Sequence, residues 1–299
     1  MKTVSSLIRR NMKLFFKDKG LFFTSLITPL ILLVLYSTFL SNVYRDSFAM
    51  AIPFYVNPQI IDGVVGGQLM SSLLAVSCIT VAFCSNMLMV QDKVSGAYND
   101  ISVTPVKHSH LAVSYYAATF FVTFIINLVA LAACLIYISI IGWYLSVGDV
   151  LFLLLDILIM VMFGTALSSV IGFFLSSQGQ ISAVGSIVSS CYGFICGAYM
   201  PISSFGEGLQ KIIALLPGTY GTSLFRNHAM RGAINELENS GVPEEAVNGL
   251  RDAIDCNIYF LDEKVSIGAM FAIVCTTVAV LMAAYVVINK IYGGKARKN

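Results

Sequence analysis

Charged side chains are scarce in this chain. Asp, Glu, Lys and Arg make up 11% of its 299 residues, against roughly 25% in an ordinary soluble domain. With 57% hydrophobic residues and a mean hydropathy of +0.82, that deficit excludes a water-soluble globular protein. Catalytic motifs are missing too. No HExxH is present, so a membrane zinc protease is not indicated. His108 and His110 are two apart and would not share a helical face. Residues 146–149 end in the Gly-Asp seen in some intramembrane aspartyl proteases, but the first glycine and a second suitably placed Asp are lacking. Gly294-Lys295 is followed by Ala296, with no fitting upstream glycine, so there is no P-loop. The chain cannot bind and hydrolyse ATP in that way by itself. No catalytic residue and no metal site is expected. Cysteine pairing is absent as well: Cys78, Cys84, Cys134, Cys191, Cys196 and Cys275 fall in apolar runs, and Cys256 has no partner on its side. Nor is there an internal repeat or a cleavable signal peptide, so the first apolar run is expected to stay as a span.

What is present is six apolar blocks, each long enough to cross a hydrocarbon core of ~30 Å. They lie at 21–41, 65–90, 111–141, 150–176, 181–200 and 267–291. The expected fold class is therefore an all-α membrane protein with six transmembrane helices. The third block exceeds the needs of one span, which predicts tilt, a kink or a protruding end. Lys and Arg set the orientation. Twelve lie before the first block, in the loop at 91–110 and from Lys290 at the end of the last block onwards, against six on the other side. Positive-inside reasoning then places both termini and the 91–110 loop in the cytoplasm.

Four regions follow. Residues 1–20 form a basic amphipathic helix, with Val4, Leu7, Ile8, Met12 and Phe15 on one face and Ser6, Arg10, Lys13 and Lys17 on another, suited to the cytoplasmic interface. Residues 21–200 carry the first five spans. Residues 201–266 are external and acidic, nine acids against five bases, and read as a small helical cap in which 206–217 dips back into the outer leaflet. Within it Pro243-Glu244-Glu245 reads as a helix start, followed by an apolar stripe of Ala246, Leu250 and Ile254. Residues 267–299 give the sixth span and a cytoplasmic tail.

The polar loop at 91–110 is the most informative stretch. Gly96 and Thr104-Pro105 bracket 97–104, enough for about two helical turns held at the membrane face by two spans. In the fifth block Gly185, Ser189, Gly193 and Gly197 recur at every fourth position, a ridge that lets helices approach closely, either within one chain or between subunits. Ser186, Ser190 and Tyr192 lie beside it and suit a cavity wall. Asp156 is the one acid inside a predicted span. Without a basic or His partner in the apolar blocks it is read as structural rather than as part of a proton relay.

Together these parts resemble an ABC-2 type permease, the transmembrane subunit of a bacterial ATP-binding-cassette exporter of the type V kind. The most specific match is the loop, where the family commonly reads acid-base-x-x-Gly and then Leu-x-x-[Ser/Thr]-Pro-[Val/Ile]. Here it reads Asp92-Lys93-Val94-Ser95-Gly96, then Ile101-Ser102-Val103-Thr104-Pro105-Val106. Val94 and Ala97 depart from the commonest residues. A second match is Pro217-Gly218-Thr219-Tyr220 followed by Arg226. The resemblance implies that Gly96, Ala97, Tyr98, Asn99, Asp100, Ile101, Ser102, Val103, Thr104 and Pro105 form a coupling helix seated on a separate ATPase subunit. The interfacial helix, with Leu7, Arg10, Lys13 and Lys17, would touch the same subunit. Two permease chains, identical or paralogous, would pair around a substrate path lined largely by the second and fifth spans, with the ridge and Ser186 and Ser190 at the interface or on the wall. The chain itself would hold no cofactor, since ATP and Mg²⁺ belong to the ATPase. The implied setting is the bacterial inner membrane, with lipid and a hydrophobic or amphiphilic cargo (drug, lipid or peptide) as partners and no nucleic acid. A secondary transporter or channel working without an ATPase is the rival reading.

Overall fold

The computed structural model describes residues 2–51, 56–261 and 263–292. The basic tail residues Lys295, Arg297 and Lys298, together with Gly294 and Asp262, lie outside the described residues. Helix dominates. α1 (Lys2–Lys17) is followed by α2 (Lys19–Leu35), whose Asp18 N-cap accepts from the Leu21 N–H. A π-helical turn at Tyr36–Leu40 carries α2 into α3 (Ser41–Ala51). α4 (Pro58–Val94) starts at an Asn57 cap with proline in its first turn, where the missing N–H costs nothing. The short α5 (Ala97–Ser102) leads into α6 (His108–Ile141). α7 (Val147–Phe174) opens on a reciprocal Ser146–Asp149 capping box, and α8 (Gln178–Ile195) on Ser177–Gln180.

The remainder is α9 (Glu207–Ile213), α10 (Pro217–Ala229), α11 (Arg231–Asn239), α12 (Glu244–Ala253), a two-residue β-ribbon of β1 (Tyr259–Phe260) and β2 (Glu263–Lys264), and α13 (Ile267–Tyr292). The expected helix start at Pro243 is present, and Leu250 and Ile254 of its stripe are buried. The ribbon is an addition to the all-helical expectation.

Among the described residues, five helices are long and apolar enough to cross a membrane: Lys19–Phe39, Pro58–Val94, His108–Ile141, Val147–Phe174 and Ile267–Ile291. The predicted block at 181–200 becomes α8, whose 18 residues are diluted by serine, glycine and glutamine and do not reach that threshold. The longest described helix is α4, at 37 residues or ~55 Å, and α6, from the third block, has 34 residues, more than one span needs.

α4 is also the centre. In its most apolar stretch 94% of residues are enclosed by protein, against 17% in α13. α6, α7, α2, α8 and α10 surround it. The second span is thus enclosed by helices of its own chain.

The 201–266 segment is more than a cap. Its helix α10 is inserted against α4, α7 and α13, and eleven of its thirteen residues are buried. Gly221 permits this by lying where a Cβ would fall 2.1 Å from Met160 Sδ. Residues 217–229 are packed among the spans, and the 206–217 stretch leaves Leu209, Ile212 and Leu215 on the protein's surface.

Candidate functional site

The loop at 91–110 folds as its residues dictate. Gly96 takes φ +84°, a left-handed conformation that costs a side chain about 1 kcal/mol. Its carbonyl accepts from the Asn99 and Asp100 N–H groups and so starts α5. The helix stops after Ser102, where Thr104 Oγ1 donates back to the Ile101 carbonyl at 2.6 Å and Pro105 offers no N–H.

α5 has two faces. Inward, Tyr98 and Ile101 pack on a cluster of Met89, Val90, Leu111, Tyr115 and Ile181, joined by Leu7 of α1. The Tyr98 ring stacks on Tyr115 at 6.3 Å between centroids. Outward, Asn99, Asp100, Val103, Thr104 and Pro105 are exposed, Val103 to 85%. Ala97 and Ser102 are half-buried between them. Ile101 therefore belongs to the protein's own packing, and Val103 is the apolar residue left uncovered.

Two adjacent charges anchor this unit, and they are the acid-base pair that precedes Gly96. Asp92 Oδ2 accepts from Arg10 Nη1 at 2.6 Å and from the Tyr115 hydroxyl at 2.5 Å. Lys93 Nζ turns the other way and donates to the Gly172 and Phe173 carbonyls at 3.3 and 2.9 Å, at the C-terminus of α7, while lying 5.2 Å from the Phe173 ring centroid. An ammonium satisfies the orphan carbonyls of a helix end and complements its dipole. Asp92 and Lys93 thus tie α1, α6 and α7 to the turn that carries α5.

Arg10 accordingly points into the protein rather than sharing an outer face with Lys13 and Lys17. Those two are exposed together with Arg9, and among the described residues no ion pair involves any of the three. The contacts of Asp92 and Lys93 escaped the sequence reading. The motif singled out both residues, but nothing in it identified Arg10, Tyr115 or the end of α7 as partners.

The ridge on α8 is used within the chain. The Tyr199 ring covers Gly193, a Cβ on Gly185 would meet Met87, and one on Gly197 would meet Ile202. Ser189 accepts through its carbonyl from the Tyr199 hydroxyl. The uncovered face of α8 is the adjacent one, which carries Ser182, Ser186, Ile187, Ser190 and Cys191.

At the opposite end of the bundle, Arg226 of α10 is 1% exposed. It donates to Asp255 Oδ2 at 2.9 Å and to the Gly197 carbonyl, while Asp255 accepts from the Ile202 N–H. Burial pushes the Asp255 carboxyl up, with Arg226 pulling against it. Two residues on, His228 meets Asp156. The acid thus has the histidine partner that the apolar blocks alone do not supply. Among the described residues no group of three or more His, Cys, Asp or Glu is placed to hold a metal.

A search among curated proteins returns no match. The family model for ABC-2 type transporters matches residues 2–229, a range that contains α1, α5 with its anchors, and α10. The chain belongs to the ABC-2 type transporter family and is the membrane-spanning permease of an ABC transporter.

Proposed function

We propose that this permease works as an exporter driven by a separate ATPase subunit, with α5 as the coupling helix. The observation that carries the reading is the division of α5 into an anchored inner face and a free outer one. A groove on the ATPase would receive Asn99, Asp100, Val103 and Thr104. Movement of α5 would reach α1 through Asp92–Arg10 and α7 through Lys93, so that packed elements shift as bodies. ATP and Mg²⁺ would reside in the ATPase. In this reading both termini and the α5 end face the cytoplasm of a bacterial cell, α8 crosses as the fifth of six spans, and Lys13, Lys17 and Arg9 meet lipid headgroups or the ATPase. Two permease copies or paralogues would pair through the Ser186 and Ser190 face of α8, around a path for a hydrophobic or amphiphilic cargo.

The test is Val103→Asp. Co-purification of the ATPase subunit is expected to be lost while thermal stability is unchanged, because the side chain touches little of its own chain. Full retention of the ATPase and of cargo-stimulated ATP hydrolysis would refute the coupling role. Ile101→Asp makes the poorer probe, since it would damage the internal cluster as well.

A further inference from the structure

At the end of the bundle remote from α5, the segment after α8 encloses an open cleft of about 780 Å³. Small-molecule sites commonly hold roughly 300–1,000 Å³. α9 forms one wall through Glu207, Gln210 and Lys211. The end of α12 and the ribbon form the other, through Asp252, Tyr259 and Phe260. Ile202 and Ser203, in the 3₁₀ turn Ile202–Ser204, lie between them.

The walls are held from behind. Asp255, at φ +51°, accepts from the Ile202 N–H at 2.9 Å, and Arg226 of α10 donates to it. Asn257 Nδ2 and the Tyr259 hydroxyl both donate to Asp252 Oδ1, at 2.7 and 3.1 Å. The Gln210 amide donates to the Phe205 carbonyl at 2.6 Å. With these groups tied down the cleft is pre-formed, and little ordering is needed to fill it.

The groups left uncommitted describe the occupant. Among the described residues Glu207, Lys211 and Asp252 Oδ2 make no hydrogen bond or ion pair, so two carboxylates stand against one ammonium. Both acids are exposed and come from opposite walls. Beside them lie Ile202, Leu215, Ile258 and two rings, Tyr259 and Phe260, which are 46% and 40% exposed. Aromatic faces attract a cation, and the more so as it leaves water. An anion would meet two carboxylates, while a cation without an apolar body would leave the aliphatic wall uncovered. A metal ion fits poorly, since among the described residues no three acids, histidines or cysteines converge to hold one. The ribbon's turn adds to the apolar side. Leu261 takes φ +50° there, a conformation that a bulky side chain adopts at a cost, and stands 83% exposed beside the cleft.

We infer that this cleft binds a drug-sized organic cation, its charged nitrogen held between Asp252 and Glu207 and its apolar body resting on Phe260, Leu215 and Ile258. The site involves neither α5 nor the face of α8 invoked for pairing, and rests on neither.

The experiment uses rhodamine 6G, an aromatic amine cation, with fluorescein as the anionic dye built on the same ring system. Fluorescence polarisation is read on the full chain in nanodiscs of zwitterionic lipid, with empty nanodiscs subtracted. Saturable binding of one rhodamine 6G per chain is expected, and no binding of fluorescein. Asp252→Asn, which keeps the acceptor for Asn257 and Tyr259, and Glu207→Gln should each weaken binding about three- to tenfold. Phe260→Ala should weaken it about fivefold, and Lys211→Gln, which removes a like charge, should tighten it about twofold. Thermal unfolding of each variant shows that the fold is kept. Uptake no greater than that of empty nanodiscs, equal binding of the two dyes, or an affinity unmoved by both acid substitutions would overturn the assignment. The readout needs no ATPase, so its failure would leave the coupling proposal untouched.

Discussion

If Arg10 fastens α1 to the base of α4, cutting that contact should free α1 without unfolding the bundle. The cost follows from exposure. Asp92→Ala leaves the Tyr115 hydroxyl, on a residue 3% exposed, without its acceptor, which costs about 1–3 kcal/mol. The Arg10 side chain is 32% exposed, so its guanidinium regains water and its share is discounted to about 1 kcal/mol. Arg10→Ala keeps the Tyr115 bond and leaves a carboxylate 10% exposed, at about 1–2 kcal/mol. Because the contact is one short and one long charge-assisted bond, 2.6 and 3.4 Å, at a partly wet edge, the coupling energy in a double-mutant cycle should be about 1–2 kcal/mol. Asp92→Asn should fall between, since it keeps an acceptor for Tyr115. The assay is amide exchange across Lys2–Lys17 with thermal unfolding of the same variants in nanodiscs. In Arg10→Ala the exchange of α1 should speed up about five- to thirtyfold, with α7 and α13 unaffected. Single effects that add to within about 0.5 kcal/mol, or α1 exchange unchanged in Arg10→Ala, would show that the contact does not hold α1.

Gly232→Ala should lower the melting temperature by about 3–10 °C, because its Cβ would fall 1.7 Å from the Tyr144 carbonyl oxygen and force a backbone shift. Gly249→Ala in α12 meets nothing within 4 Å and should be neutral or slightly stabilising. Cys256 is 2% exposed, and burial pushes its thiol up to about 12. It should resist a membrane-impermeant maleimide until the protein is denatured. The folded state keeps that proton longer than the unfolded chain does, so its contribution to stability is present below the ordinary thiol range and is lost as pH climbs towards about 12. If α8 pairs two copies, Ser190→Cys should crosslink between subunits while Gly193→Cys, under the Tyr199 ring, should not; crosslinking of Gly193→Cys alone would return the interface to the ridge.

The membrane class, the core of each long helix and the place of α5 were legible from composition and local chemistry. A run of some twenty apolar residues has one low-cost solution in lipid. Gly96 and Pro105 bracket a short helix because one adopts positive φ and the other lacks an N–H. The partners of buried polar groups were not legible, because they lie far apart in sequence. Arg10 finds Asp92 across 82 positions, and His228 finds Asp156 across 72. Local periodicity could not show that the glycine ridge of α8 faces its own chain, that α4 is enclosed on every side, or that α10 is inserted among spans. The sequence by itself determined a polytopic helical protein with a short polar helix between two of its long apolar ones. Only the tertiary structure decided which groups hold α5 and which buried acid meets a histidine, since burial makes an unpaired polar group costly and the fold alone brings its partner within reach.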